Sequence, residues 1–452
     1  MTENLDSIQD QDINTGSADE KDAASLPPRK SGLNSVFSIP NYRFLLLGGI
    51  FAFGVQWIQQ VILNWLVYDI TASGTILGTV NIVLSIASLF MLLIVGILVD
   101  RFNRGMLMLA ASGCMFIISA GLGLLLIAGY GNIALLFIFA FFAGIAQPLD
   151  MTLRQVLIFD FVPRMLTPSA VAINQTIWAV MRVIGPSLGG FFIVWFGGGG
   201  SFLAMSSVYI FIAITVFFMK FPKRKTEAVQ GSPINNIREG LSYLIKEPVT
   251  RTFTLIGIIL PILAIPIFTI LPPIYAAEVF GDGSGKTLGF LMASVGVGGV
   301  FGGIVTASLK KFEYRGRLQI FSVLLLSVSL IAFALSTSLP LAIFFLAIAG
   351  FFEIIFLTTN MTLIQLSIPD RIRGRVTAVV NLTWVLSPIG SMMAGVGSDL
   401  LGGPKMITII MSSIAAGIGI LILIYSPTVR NYHLSRAIAA SQSRDIADSE
   451  ER

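Results

Sequence analysis

The sequence predicts an all-α integral membrane protein whose twelve transmembrane helices form two pseudo-symmetric six-helix bundles. Its 452 residues are 55% hydrophobic and only 12% charged, with a mean hydropathy of +0.86. A water-soluble fold of this size would lack the polar residues needed to cover its surface. A series of long apolar stretches and an internal repeat indicate the same class.

The apolar stretches are each close to the twenty residues that a helix needs to cross a bilayer. Hydropathy and the polar segments between the stretches predict about twelve spans. They cover residues 44–68, 75–98, 105–129, 132–155, 168–196, 201–220, 251–275, 286–309, 318–338, 340–363, 374–400 and 405–426.

The distribution of Lys and Arg predicts the orientation of these spans. An even number of spans puts both termini on one side, and 26 of the 29 basic residues then fall on that side. Lys286 and Lys405 fall on the other side, and Arg182 lies within a span. Because basic loops are retained in the cytoplasm, we expect a multi-pass protein of the cell membrane with both termini cytoplasmic.

A polar, charged segment divides the chain into two halves. We expect a mostly disordered cytoplasmic tail over 1–43, an N-terminal six-helix bundle over 44–220, a cytoplasmic linker over 221–250, a C-terminal bundle over 251–426 and a cytoplasmic tail over 427–452. The first tail is polar and lacks an apolar core, which is typical of disorder.

An internal repeat supports this division. Thr152-Leu-Arg-Gln155 matches Thr362-Leu-Ile-Gln365 at an offset of 210 residues. Val171, Ile184-Gly185 and Gly190 match Val376, Ile389-Gly390 and Gly395 at an offset of 205. Duplicated bundles of this kind build transporters that open a midplane site alternately to the two sides of the membrane.

The composition argues against several other functions. The net charge of +5 is carried by loops that meet an anionic leaflet, so we expect lipid contacts and no nucleic-acid partner. Cys114 is the one cysteine and His433 the one histidine, so no metal site or His-based catalysis is expected. The run 197–200 is not followed by the Lys-Ser/Thr of a phosphate-binding loop. We expect neither an enzyme nor a cofactor.

The loop between spans two and three carries a known signature. Gly96-Ile-Leu-Val-Asp100-Arg101-Phe-Asn-Arg104 resembles the Gly-x-x-x-Asp-Arg-x-Gly-Arg-Arg motif of the major facilitator superfamily. Asn103 replaces the second glycine, a mild change because Asn tolerates a left-handed turn. The resemblance implies the major facilitator fold, and it implies that Asp100 pairs with the start of helix eleven and with nearby Arg residues to close a cytoplasmic gate.

Span five carries a second signature. Gly185-Pro186-Ser-Leu-Gly189-Gly190 resembles the Gly-Pro-x-x-Gly-Gly core of a motif associated with exporters of the superfamily, although Met181 and Ala172 replace its upstream glycines. Pro186 cannot donate to the carbonyl of Arg182, and the glycines form a smooth face for close helix packing. We expect the small-residue pairs Gly298 with Gly302 and Gly299 with Gly303, in span eight, to meet this face.

A wider resemblance covers most of residues 42–220. It connects the chain to the enterobactin-exporter-like and macrolide-efflux-like carriers, which implies proton-driven export of siderophores or lipophilic, drug-like compounds. The residues that carry it are Trp65-Leu-Val-Tyr-Asp69-Ile-Thr-Ala-Ser73, Arg154-Gln155, Val162-Pro163 and the run from Asn174 through Arg182 to Gly190.

Charges within spans are functional candidates, because they are costly in hydrocarbon. Arg182 is a candidate for neutralising an anionic substrate or meeting a carboxylate across the cavity, with a structural bond to freed carbonyls as the alternative. Glu353 is the proton-coupling candidate, since it is the carboxylate deepest within a span of the second half. A bond to a neighbouring hydroxyl or Gln is its alternative role.

Polar residues of spans one and four complete the candidate set. Asp150 and Arg154 are four residues apart on one helical face and predict a pair near the cytoplasmic end, which we assign to gating. The expected cavity-lining residues, besides Arg182, are Gln56, Trp57, Gln60 and Asn64 in span one and Gln147 in span four.

These features predict a secondary carrier that exports a small organic molecule by proton antiport and alternating access, as a monomer. A proton-coupled importer of a small metabolite on the same fold, and a non-transporting membrane sensor, remain the alternatives.

Overall fold

The computed structural model describes residues 33–163, 165–221, 233–282, 285–309, 312–369 and 372–432. Every regular element in these ranges is helical. Most of the tail 1–43, part of the linker 221–250, most of the tail 427–452 and His433 lie outside the described residues.

Twelve membrane helices follow one another, and their order agrees with the twelve predicted spans. They are α1 (Pro40–Thr71), α2 (Gly74–Arg101), α3 (Arg104–Ile127), α4 (Ile133–Phe161), α5 (167–196), α6 (198–217), α7 (Pro248–Val279), α8 (Lys286–Ser308), α9 (Arg315–Leu335), α10 (Leu339–Ser367), α11 (Arg373–Leu400) and α12 (Pro404–Tyr425). We call the side where α2 ends and α3 begins, with Arg101 and Arg104, the basic side.

The helices α5 and α6 adjoin without an intervening loop and together cover Thr167–Phe217. These 51 residues would measure about 75 Å as a straight helix, against about 30 Å of hydrocarbon. Gly197 interrupts the run with a φ of 65°, in the left-handed region that glycine enters without steric cost. The interruption lies between the two predicted spans, so the chain crosses the membrane twice here.

The helix α7 is longer and less regular than the predicted span 251–275. It contains two π-helical segments, Leu260–Ala264 and Tyr275–Val279. Prolines interrupt its hydrogen-bond ladder, because a proline has no N–H to donate. The carbonyls left without a helical partner are available for bonds to neighbouring helices.

The predicted polar linker contains a helix, Pro233–Lys246, which the sequence analysis missed. We call it the linker helix. Its Tyr243 hydroxyl donates to the Ser367 carbonyl of α10, and Glu239 forms an exposed ion pair with Arg375 of α11. Leu241, Leu244 and Ile245 recur at helical spacing, which is the signal that could have predicted it.

The internal repeat corresponds to equivalent packing in the two halves. A Cβ built on Gly185 of α5 would lie 2.6 Å from the Trp57 side chain of α1. A Cβ built on Gly390 of α11 would lie 2.3 Å from the Ile262 carbonyl oxygen of α7. Both pairs are related by the offset of 205 residues, so α5 packs on α1 as α11 packs on α7.

Repeated glycines also bring the two halves into contact with each other. A Cβ on Gly190 of α5 would lie 2.1 Å from the Gly289 Cα of α8, and one on Gly395 of α11 would lie 2.1 Å from the Gly74 carbonyl of α2. Both contacts lie toward the side opposite the basic side. A side chain at either position would force the backbones apart.

The prediction that the glycines of span eight meet α5 is wrong in part. A Cβ on Gly298 or Gly302 would meet the backbone of α10, at Ala347 and Phe351 respectively. Gly299 lies between Ile354 of α10 and Val183 of α5. The small-residue pattern predicts a packing face, but its 3.6-residue period does not specify which neighbour packs there.

We predict that Gly190→Ala prevents closure on the opposite side. Overpacking of this kind costs about 1–3 kcal/mol, because the obstructing Gly289 Cα is backbone. The transport rate should fall by about tenfold or more, while the amount of the variant protein in the membrane stays normal.

The matched control is Gly303→Ala in α8, since no described atom outside its own helix turn lies within 4 Å of a Cβ there. The quantity to measure is the initial transport rate normalised to the amount of protein. Equal rates for the two variants would contradict the proposed closure.

Candidate transport site

An ion pair between Arg182 of α5 and Glu353 of α10 connects the two halves near the middle of the membrane. The side chains retain only 13% and 5% of their exposure. An unpaired charge at this depth would cost several kcal/mol of desolvation, so each group depends on the other. The alternative partners expected for Glu353, a hydroxyl or a Gln, are therefore replaced by the guanidinium of Arg182.

The ion pair forms part of the wall of a central cavity of about 100 Å³. The rest of the wall is largely apolar, as is usual for ligand sites. The lining residues come from both halves: Trp57, Arg182, Val183, Pro186, Ile265, Phe268, Thr269, Met292, Val295, Gly296, Gly299, Glu353, Ile354 and Trp384.

Trp57, in the wall of this cavity, has a buried polar group without a hydrogen-bond partner among the described residues. Its ring packs edge to face on Trp178, with centroids 6.1 Å apart. The indole Nε1–H is buried and has no hydrogen-bond partner among the described residues. An unsatisfied buried donor costs about 1–3 kcal/mol, so a conformational state that gives this N–H an acceptor would be favoured.

Gln56 and Gln147 line a different, smaller cavity within the first half. The Gln56 amide donates to the Gln147 side-chain oxygen at 3.3 Å, and this cavity measures about 40 Å³. Asp150 and Tyr209 also line it. The predicted polar stripe of span one is therefore divided, because only Trp57 of that stripe reaches the central cavity.

Asp150 and Arg154 form the predicted pair on α4, with Arg154 Nε donating to Asp150 Oδ2 at 2.6 Å. Arg154 is fully buried, and its Nη1 also donates to the Leu45 carbonyl of α1 at 3.2 Å. In the second half, Asn360 of α10 donates to the Phe253 carbonyl of α7 at 2.9 Å. In each half, a side chain of the fourth helix thus donates a hydrogen bond to a carbonyl of the first helix.

The signature loop lies exposed on the basic side. Asp100 and Arg101 are exposed, and Arg104 pairs with Asp160 of α4. Asn103 does not adopt the expected left-handed turn: its φ is −65°, and its side chain accepts bonds from the N–H groups of Gly105 and Met106. Asn at this position therefore caps α3, which explains why it replaces a glycine.

The remaining polar residues of span one lie in contacts between helices. Gln60 donates to Asn81 at 3.1 Å, Asn81 donates to Asn64 at 3.0 Å, and Asn64 donates to the Thr269 carbonyl of α7 at 2.8 Å. Pro273 cannot donate to this carbonyl, so Asn64 replaces the missing helical bond. Gln60 and Asn64 are absent from the linings of these two cavities.

A further group of contacts joins the halves at the rim opposite the basic side. Asp399, at the end of α11, accepts bonds from Ser73 Oγ at 2.8 Å, the Gly74 N–H at 2.7 Å and the Thr75 N–H at 2.9 Å. Close by, the Tyr68 hydroxyl donates to Glu278 of α7.

Comparison with known proteins identifies the family. The profile of a family described as "Transmembrane secretion effector" matches residues 32–443. The chain belongs to this family of major facilitator superfamily efflux carriers. The predicted superfamily and fold class are therefore confirmed, and the protein is a carrier rather than an enzyme.

Relatives of this carrier have low sequence identity to it, but the matches extend over most of the chain. The staphyloferrin A transporter of Staphylococcus aureus is 24% identical over 353 residues, covering 77% of this chain and 87% of the relative. The multidrug efflux pump Tap of Mycolicibacterium fortuitum is 26% identical, covering 60% and 67%. The enterobactin exporter EntS of Escherichia coli is 24% identical, covering 74% and 77%.

Solved structures confirm the fold of the carrier. A bacterial homologue of the human lysosomal transporter Spinster, inward-facing and unoccupied, matches with a TM-score of 0.67 at 15% identity, covering 89% of this chain and 98% of that one. The inward-open xylose transporter XylE of Escherichia coli gives 0.59 at 15% identity, covering 87% and 96%.

The sequence analysis missed the rim residues Tyr68, Glu278 and Asp399 of this carrier. Tyr68 lies inside the run that carries the subgroup resemblance, but its partner is 210 residues away. Asp399 could have been found from its position, because an acid at the end of span eleven faces the end of the membrane that holds few basic residues.

We predict that the Arg182–Glu353 pair stabilises the folded carrier only as a pair. Arg182→Gln or Glu353→Gln alone leaves one buried charge and should cost about 1–3 kcal/mol, less than for full burial because Arg182 keeps some exposure. The double variant should recover most of the loss. The measurement is thermal unfolding of the purified protein in detergent.

Arg375 and Glu239 provide the matched control pair, since their side chains are 43% and 54% exposed. Neutralising either of them should change stability by about 0–1 kcal/mol. The prediction would be contradicted if the losses in the free energy of unfolding of the two single variants at the central pair added up in the double variant.

Proposed function

We propose that this carrier exports a small organic molecule, a siderophore or a lipophilic drug-like compound, by proton antiport and alternating access. It would lie in the cell membrane as a monomer with both termini cytoplasmic, in contact with anionic lipids. The observation that carries the proposal is the ion pair between Arg182 and Glu353, which joins the two halves in the wall of the central cavity.

The pattern of contacts between the halves supports alternating access. The contacts at Asn64, Tyr68, Gly190 and Asp399 lie between the midplane and the side opposite the basic side. A carrier closed there and open on the basic side is in its inward-facing state, if the basic side is cytoplasmic. Substrate would then enter the cavity from the cytoplasm.

Glu353 is the group that would couple transport to protons. Protonation neutralises Glu353 and so removes its charge attraction to Arg182, which means that the proton and the ion pair exclude each other. Because the pair joins α5 to α10, its formation and loss change the strength of the connection between the halves. In antiport, substrate binding and protonation of Glu353 alternate.

The wall of the central cavity suits an aromatic or lipophilic substrate. Trp57, Phe268 and Trp384 provide aromatic, apolar surface. The cavity of about 100 Å³ is smaller than the roughly 300–1,000 Å³ of sites for drug-sized ligands, so it must widen to hold such a substrate. The relatives named for staphyloferrin A, enterobactin and multidrug transport support the two substrate classes.

One observation also favours a proton-coupled importer. Arg182 has five N–H donors, and an anionic substrate that occupies them would displace Glu353. In this second scheme the displaced carboxylate takes up a proton, so anion and proton move together. The sign of coupling therefore distinguishes import of an anion from antiport of a substrate that competes with the proton.

We predict protonophore-sensitive efflux that depends on Glu353. Cells are loaded with siderophores, macrolides and lipophilic dyes. The efflux rate of the transported compound should be about tenfold lower in cells that carry Glu353→Gln, so these cells retain more of it. Glu239→Gln, an exposed acid of the linker helix, is the control and should leave the rate unchanged. Full pH-gradient coupling in Glu353→Gln would contradict the proton-carrier role.

We also predict the sign of proton movement in reconstituted vesicles. A substrate gradient should drive protons in the opposite direction to the substrate, as reported by a trapped pH-sensitive dye. Proton movement in the same direction as the substrate would support the importer. Substrate flux without any proton movement would contradict proton coupling in either direction.

A further inference from the structure

Two helices of the carrier end in the same sequence pattern. The helix α2 ends with Gly96-Ile-Leu-Val-Asp100, and α11 ends with Gly395-Val-Gly-Ser-Asp399. In both, a glycine precedes an aspartate by four residues, so the two lie on one helical face. The helices α2 and α11 pack against each other and run in opposite directions. The two patterns therefore lie at opposite sides of the membrane.

The α11 pattern is engaged with the start of α2. Gly395 lies against the backbone of Gly74, the first residue of α2. Asp399 then reaches the Ser73 hydroxyl and the first N–H groups of α2, at 2.7 to 2.9 Å. A carboxylate here satisfies N–H groups that have no helical partner and meets the positive end of the helix dipole.

The equivalent positions at the other end of the same helix pair are separated. The counterpart of Gly395 is Gly96, and the counterpart of Gly74 is Gly374 in the first turn of α11. No described atom outside its own helix turn lies within 4 Å of a Cβ built on Gly96 or on Gly374. One end of the pair is closed by glycine contact and an aspartate cap, whereas the glycines at the other end make no such contact.

We propose that Asp399 is a latch between α11 and α2 that holds the side opposite the basic side closed. When the halves rock, Asp399 leaves the start of α2, while the family resemblance already implies that Asp100 pairs with the start of α11 on the basic side. Each closed side thus has an aspartate at a helix N-terminus. This inference rests on alternating access in the proposed function, and it adds Asp399 as a positioning residue for that cycle.

The latch stabilises this closed state by a capping interaction. Loss of a capping side chain typically changes a conformational equilibrium by about 2- to 30-fold. Asp399 is exposed at the rim, so water is available to solvate it when the side opens. That availability keeps the interaction reversible, in contrast to a fully buried pair.

Side-specific labelling tests the latch without a substrate. The carrier is prepared with Cys114→Ser and with Val295→Cys as a reporter in the central cavity, in membrane vesicles of either orientation. A membrane-impermeant maleimide then measures access from each side. Asp399→Asn should raise the ratio of opposite-side to basic-side labelling by about 2- to 30-fold, and Asp100→Asn should lower it.

The double variant Asp399→Asn with Asp100→Asn should bring the ratio back toward that of the parent protein. Ser73→Ala provides a second, smaller perturbation of the same contact and should raise the ratio. The control is Asp69→Asn, which changes an exposed acid near the end of α1, shortly before the start of α2. It should leave the labelling ratio unchanged.

An unchanged ratio in both Asp399→Asn and Ser73→Ala would overturn the latch, as would a shift in the same direction for Asp399→Asn and Asp100→Asn. Efflux is measured separately on the parent protein. If labelling shifts as expected but the parent protein shows no efflux, the latch is supported and the proposed export is rejected. If the parent protein shows efflux but the labelling ratio is unchanged in the variants, export is supported and the latch is rejected.

Discussion

The ion pair between Arg182 and Glu353 is the constraint on which the rest of the structure depends. Two opposite charges, contributed by different halves, lie where neither is stable alone. They hold α5 of one half against α10 of the other near the midplane. Glycines on α5, from Gly185 to Gly190, let the neighbouring backbones come close enough for the pair and the cavity beside it to form.

The closed side of the carrier is built from backbone contacts as much as from side chains. The glycine contacts bring helices of the two halves together, and Asn64 and Asp399 bond to backbone groups that a proline or a helix start leaves unpaired. Such groups are costly to leave unsatisfied within a membrane. Polar residues at the interface between the halves therefore stabilise one state without filling the central cavity.

The sequence predicted the spans, their order and the repeat, because bilayer thickness fixes helix length and duplication leaves matching motifs. It also singled out Arg182 and Glu353, since charges in hydrocarbon are rare. It could not pair them, because 171 residues separate the two and periodicity does not identify neighbours. For the same reason it could not predict that Asn64 bonds to a carbonyl freed by Pro273, or that Gly298 packs on α10.

The most direct test of the account is the protonation of Glu353 in the working protein. Infrared difference spectroscopy of the reconstituted carrier, recorded as the pH is lowered, should show a protonated-carboxyl band that is missing in Glu353→Gln. The band should respond to substrate, because substrate and proton alternate in antiport. If no such band develops at any pH where transport occurs, Glu353 stays ionised in the pair with Arg182, and the account of coupling is wrong.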